Sequence, residues 1–441
     1  MKPGRRMEER GPGEPAAGGH PRDRLRRELG TLDATMLVVS SVIGVGIFLT
    51  PGAVAAQVPE RRTFLLAWLA GGALSLAGAL ANAELGAMMP RAGGDYVYLR
   101  EAFHPVAGFL VGWLSFSAIY AGTVATLAVG FADGLEPFFA LSGPGRTAVA
   151  VAAILATSWV NHRGLRAGAL FNNATAVLKI ATLAALVAAG LAFSARGGAS
   201  PPPPTAGTGV VGPLAFALAL PPVLFSYLGW NASVYVASEL RDPERTLPRS
   251  LFLGLGVCTL LYLAVNALYV GALGMERLAG EPRVGEAAAG VLFGAAGGKV
   301  AAALVLLSVL GCLNATILVG PRIAYAMALD GLFFAGTDRV HEANRTPHVA
   351  IAVQAAVAIA LVALLRRFPS VLDYTTFAIV LATIADVAAL AVLRRKRPEW
   401  PRPFHAIGYP WLPGLYLVAN VAIAAAMLVG RPFECAAALA A

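Results

Sequence analysis

Charge is what this 441-residue chain has least of. Asp, Glu, Lys and Arg make up 13% of it, against roughly a quarter of an average soluble domain. Cysteine is nearly absent: Cys258 and Cys312 lie in apolar runs and Cys435 near the end, with neither disulfide nor metal spacing. The six histidines are scattered without a ligand pattern, so no metal and no cofactor is expected. There is no GxxxxGK[ST] phosphate loop, which disfavours ATP-driven pumping. An intramembrane enzyme would need Asp, Glu, His or Ser clustered at depth, and none is visible, so the chain reads as no enzyme.

What the chain has instead is apolar length. Hydrophobic residues make up 57%, gathered in blocks that suit the ~20 residues of a transmembrane helix. Eleven spans are expected, at about 33–55, 63–83, 105–130, 146–161, 167–193, 213–238, 249–272, 300–326, 348–365, 371–393 and 411–430. The net charge of +9 does not point to nucleic acid, because Lys and Arg concentrate in alternate loops. With the N-terminus inside, 23 of the 34 fall on the inner face and ten on the outer, and Lys179 lies within a span. The positive-inside rule therefore gives a multi-pass protein of the cell membrane with a cytoplasmic N-terminus.

Residues 1–30, basic and rich in Pro and Gly, are expected to form a disordered cytoplasmic tail. The Pro/Gly-rich loop at 194–212, with its run Pro201–Pro204, excludes helix. It separates spans 1–5 (31–193) from spans 6–10 (213–395). A basic loop, span 11 and a short C-terminal tail fill 396–441.

Each half opens on an interrupted helix. Span 1 carries "GVG", Gly44 to Gly46; span 6 carries Pro221 and Pro222 and then "YLGWN", Tyr227 to Asn231. A lone GxG in a transmembrane helix is more often a packing device. Two interruptions at matching depths point instead to a transporter site, where helix N-termini face an anion and freed carbonyls face a cation. A zwitterionic α-amino acid has both ends and needs no charged side chain to hold it.

Several stretches resemble the amino acid–polyamine–organocation (APC) permeases, in order from about Leu32 to Gly430. They are "VIGVGIFLTPG" in span 1, "NHRGLRAGALFNNATAVLKI" in span 5, "LFSYLGWNASVYVASELRDPERTLPRS" in span 6, "GCLNATILVGPRIAYAMALDGLFF" in span 8 and "FAIVLATIADVAALAVLRRKRPEWPRPF" in span 10. "FSYLGWN" is most similar to the L-type amino acid transporters and their bacterial relatives. The resemblance implies an all-α membrane fold of leucine-transporter type, a five-plus-five inverted repeat. Its usual twelfth span is missing or shortened here.

The resemblance also implies a site. The backbone of Val45, Gly46 and Ile47, beside Gly44, would take the substrate carboxylate. The carbonyls of Ile43, Phe225 and Leu228 would take the ammonium. The Phe225 ring would cover the ligand, and Asn231 would steady the unwound segment at Gly229. Leu228 replaces a glycine common in L-type relatives, which narrows the pocket. Lys179 is either a proton-coupling group or a fixed mimic of a bound ion.

The implied function is secondary active transport of amino acids by alternating access, as proton symporter or exchanger. The alternatives are a nutrient sensor or a carrier of polyamines and other amines. The expected partners are the substrate, the lipid bilayer and protons. Nearer the inner face, Asp386 is expected to pair with Arg394, Glu84 with Arg91, and Glu239 with Arg245. Arg322 and Asp330 are expected to serve the same layer.

Overall fold

The computed structural model describes residues 22–195, 212–365 and 368–430, with 432, 435 and 436 beyond them. Most of the 194–212 loop and of the 1–30 tail lies outside the described residues. Among those described the chain is helical, with no strand and one isolated bridge between Leu29 and Leu240.

Span 1 is split into α1 (Thr31–Val42) and a second half, α2 (Gly46–Leu49) and α3 (Pro51–Gln57), joined through Thr50 in helical conformation. Then come α4 (Arg61–Met88), α5 (Asp95–Ala102) and α6 (Pro105–Leu114). A π-helical turn, Ser115–Tyr120, leads into α7 (Ala121–Gly134), α8 (Gly143–His162) and α9 (Leu165–Ala195). Span 6 is α10 (Pro213–Tyr227) and α11 (Ala232–Tyr235). The remainder is α12 (Pro243–Leu278), α13 (Val284–Val319), α14 (Pro321–Leu329), α15 (His348–Leu365), α16 (Phe368–Lys396) and α17 (Trp411–Gly430).

The helix starts follow from the sequence. Pro51, Pro105, Pro213, Pro243 and Pro321 each sit in a first turn, where a missing N–H costs nothing. Glu60 caps α4 by accepting from the N–H groups of Arg62 and Thr63. The Thr63 hydroxyl, with those N–H groups and the Arg62 charge, holds its carboxyl below the usual range. Taken across their junctions, eight helical stretches among the described residues are long and apolar enough to cross a membrane, and α10 and α15 are shorter apolar helices. Leu66, Leu110, Leu170, Leu214, Leu260 and Val418 stand exposed on these helices, as side chains facing lipid would.

Prolines 221 and 222 do not break span 6: α10 runs through them to Tyr227. Two prolines remove two donors but leave the rest of the ladder. The helix ends where Leu228 turns extended and Gly229 takes φ +95°.

The core gathers around α1, which packs against α9, α11, α12 and α13. Three expected ion pairs are replaced. Arg394 donates to Glu84, which is fully buried and also bound by Arg402 and the Ala406 N–H. Asp386 is therefore not its partner. Eight residues along a helix also rotate Arg394 about 80° away from Asp386. Glu84 thus meets the basic exit of α16 rather than Arg91. Glu239 pairs with Arg322, whose Nε and Nη2 donate at 2.7 and 3.1 Å, rather than with Arg245, which reaches Asp242. Asp330 binds Tyr96 and Arg100.

The tail also differs from expectation over its described part. The N–H groups of Glu28 and Leu29 donate to the Glu239 carbonyl, and Arg241 N–H donates to Leu29. Tyr325 donates to Asp23 at 2.9 Å. Residues 22–30 are packed onto the end of span 6 because Leu29, nearly all buried, anchors them. Three histidines from two distant parts of the chain also meet. His162, His341 and His348 pack their rings 5.4–6.3 Å apart, though among the described residues no group of side chains is arranged to hold a metal.

Candidate substrate site

The breaks in spans 1 and 6 lie against each other. Helix α1 ends at Val42, with Ile43 outside helical conformation; the Gly44 N–H turns back to Val42 at 2.8 Å. The next helix begins at Gly46, so the N–H groups of Val45, Gly46 and Ile47 have no preceding turn to bind. Its Phe48, Leu49 and Thr50 N–H groups are satisfied by Val45 and Gly46. Gly46 is required by contact: a Cβ there would stand 2.6 Å from Ser226 Oγ and 2.7 Å from Ser226 Cα. At Gly229 both the positive φ and the closeness of Ser41, 2.9 Å from where a Cβ would stand, demand glycine.

One residue ties the two breaks together. The Tyr262 hydroxyl on α12, fully buried, is shared between the Val42 carbonyl at 2.8 Å and the Ser226 carbonyl at 2.9 Å. Thr50 Oγ1 and Ser226 Oγ add a hydrogen bond of 2.8 Å between the same segments. Nothing in the local sequence of α12 marks Tyr262, because its partners are more than thirty residues away.

Between the breaks and α7, α13 and α16 lies a cavity of about 150 Å³. Its walls include Gly44, Val45, Gly46, Phe225, Leu228, Gly229 and Asn231. Ile43, Ile47 and Lys179 are outside the wall, each essentially buried. Hydroxyls and small residues complete it: Ser41, Thr123, Thr126, Ser226, Ala315 and Thr316. Such a space lies below the ~300 Å³ at which drug-sized pockets begin, and suits a small ligand. Phe225 and Leu228 also line a second cavity, of about 600 Å³, between α10, α16 and α17. The two residues therefore stand in the partition between the two spaces.

Lys179 lies behind span 1. Its Nζ donates to Ser40 O at 2.9 Å and Ile43 O at 2.7 Å, and lies 3.5 Å from Cys312 Sγ. Three acceptors match the three protons of an ammonium group. The carbonyls belong to the last turn of α1, where a cation also meets the negative end of the helix dipole. The Ile43 carbonyl, expected to face a substrate ammonium, is thus already engaged by a side chain. The Phe225 carbonyl accepts the Leu228 N–H at 3.1 Å.

Sequence reasoning passed over two groups at the end of the cavity nearest α5. Asn231 Nδ2 donates to Tyr235 Oη at 3.2 Å, and Tyr235 donates to Asp95 Oδ2 at 2.5 Å. Tyr120, placed by the π-helical turn, packs its ring edge-on to Tyr235 at 5.2 Å. Among the described residues Asp95 is the only carboxyl on the wall. The pair Gly93–Gly94 is the available signal: both have positive φ, and a Cβ on Gly94 would strike the Tyr235 ring at 2.7 Å.

Comparison with known proteins shows the family. A family model described as "Amino acid permease" matches residues 29–433. The chain is 30% identical over 416 residues to the serine/threonine exchanger SteT of Bacillus subtilis (strain 168), covering 93% of each chain. It is 29% identical to the human large neutral amino acids transporter small subunit 2, over 86% of this chain and 72% of that one. It is 28% identical to the human b(0,+)-type amino acid transporter 1, over 92% and 84%. With a broken-helix cavity at its centre and a family match along nearly its whole length, the chain belongs to the amino acid permease family.

Proposed function

We propose that this permease moves small neutral amino acids across the cell membrane by alternating access, as a proton symporter or an exchanger. The observation that carries the reading is the pair of helix breaks at one small cavity, held together by Tyr262. The substrate carboxylate takes the unbound N–H groups of Val45, Gly46 and Ile47. Its ammonium takes the Phe225 and Leu228 carbonyls across the cavity. Phe225 closes the partition, Leu228 limits side-chain size, and Asn231 holds the unwound segment through Tyr235. The two halves, 31–193 and 213–395, form an inverted repeat. Spans 1, 2, 6 and 7 rock against spans 3, 4, 8 and 9. The N-terminus is cytoplasmic, in keeping with the Lys and Arg distribution.

Lys179 serves as a fixed cation in place of a bound ion, a role supported by its three acceptors. Purified protein in liposomes preloaded with unlabelled L-serine, L-threonine or L-leucine tests the reading. Uptake of the labelled amino acid against the preload is expected. Saturable binding without uptake would establish a sensor and overturn it.

A further inference from the structure

Asp386 and Asp95 form a carboxyl pair that transport by the site above does not use. Asp386 on α16 is fully buried and Asp95 is 1% exposed. Helix α16 packs on α5 and on α4, which brings the Asp386 carboxyl within reach of Asp95 and of the Asn82 amide. Neither oxygen of Asp386, nor Asp95 Oδ1, has a partner in hydrogen-bond geometry. The ionisable groups facing the pair are Tyr98 on α5, Tyr120 at the end of the π-helical turn, Tyr235 on α11 and Tyr416 on α17. Among the described residues no Lys or Arg forms an ion pair with either carboxyl.

Two carboxylates in contact, without a cation, cannot both stay ionised: a proton must lie between them. Beside the pair, Asn82 Oδ1 and the Tyr98 hydroxyl are also buried without a partner.

We propose that Asp95 and Asp386 are the proton-binding site of the transport cycle. In the closed state both carboxyls are protonated and the pair is neutral. When the cavity opens to water one O–H breaks, its proton passes to water, and the remaining proton is shared between the two carboxyls. Tyr235 transmits the change, since it donates to Asp95 and accepts from Asn231 in the unwound part of span 6. Filling the substrate site and filling the proton site are thereby linked through three side chains. The coupling role moves from Lys179, whose protons are all engaged, to a pair with none of its own to lose except by titration.

This inference rests on the transporter reading, and liposomes holding a trapped pH dye separate the two. For the wild-type protein, L-threonine entry is expected to acidify the lumen, and an inward proton gradient to speed entry about tenfold. Asp386→Asn, which mimics the protonated acid, is expected to make the rate of threonine exchange independent of pH and to abolish the acidification. Tyr235→Phe is expected to weaken the pH response with the carboxyls still in place. Net threonine entry without lumenal acidification, or threonine exchange whose rate ignores pH, in the wild type would overturn the proton site and leave the transporter reading standing. This measurement decides even where a variant fails to insert. Retention of the wild-type pH profile by Asp386→Asn would also overturn the proposal. So would selective loss of L-lysine uptake in that variant, which would assign the pair to a cationic side chain. Absence of exchange of any amino acid by the wild type would overturn both readings.

Discussion

Lys179 donates to the carbonyl of Ile43 across 2.7 Å, bringing a side chain of α9 onto the broken end of span 1. The bond makes the unwinding of that span part of the fold itself. Lys179→Met keeps the length and removes the charge, leaving the Ser40 and Ile43 carbonyls only the weak Cys312 thiol as a side-chain donor. A loss on the order of 2–4 kcal/mol of stability is expected, read as a lower thermal-shift midpoint in detergent. Exchange should fall, while whatever remains keeps the wild-type pH profile. A variant whose pH profile flattens would return the proton to Lys179.

Gly46 is expected to tolerate no side chain. Even Ala brings a Cβ within 2.7 Å of Ser226 Cα, and overpacking of this kind costs about 1–3 kcal/mol. Gly46→Leu should reach the membrane and lose uptake. Adding Ser226→Gly should not restore it, because the clash is with backbone. Recovery of uptake in the double variant would mean that the side chain, rather than helix approach, had been the obstacle.

Leu228 sets the size of the ligand. Leu228→Gly joins the 150 Å³ cavity to the larger one behind it, and should raise the ratio of L-leucine to L-serine uptake by about tenfold, the low end of the effect of a methylene in an apolar pocket. Competition assays with both labelled substrates measure it. An unchanged ratio would remove Leu228 from the substrate wall.

The Arg322–Glu239 pair is almost wholly buried. Arg322→Met leaves Glu239 charged and alone, and should cost about 3–5 kcal/mol. The double change Arg322→Met with Glu239→Gln should recover much of that loss. Thermal-shift midpoints of the three variants decide between an essential pair and one that matters only when half of it is missing.

How much of this was legible in the sequence depended on distance. Gly44–Gly46 and Gly229 announce their breaks locally, because only backbone freedom and close approach require glycine there. Lys179 is legible because a charge deep in an apolar run is costly wherever its partners are. The partners themselves are not legible. Arg394 and Asp386 share a helix and invite pairing, yet helical rotation sends one to Glu84 and the other to Asp95. Tyr262 and Asp95 gain their meaning from residues 36 or more positions away, and no local pattern encodes such a meeting. Pro221 and Pro222 misled in the opposite sense, since two lost donors are fewer than a helix needs to lose before it unwinds.

The anchoring of residues 22–30 has a practical side. Leu29 and Asp23 are fastened to span 6 and α14 at the same end of the molecule as the Arg322–Glu239 pair. Any opening of the cavity on that side has to peel this segment away first. A purification tag or fluorescent fusion joined just ahead of it would add drag or strain to a moving part. Rates measured on amino-terminal fusions should therefore differ from those measured on carboxy-terminal ones, and the difference would report how firmly the strap is fastened.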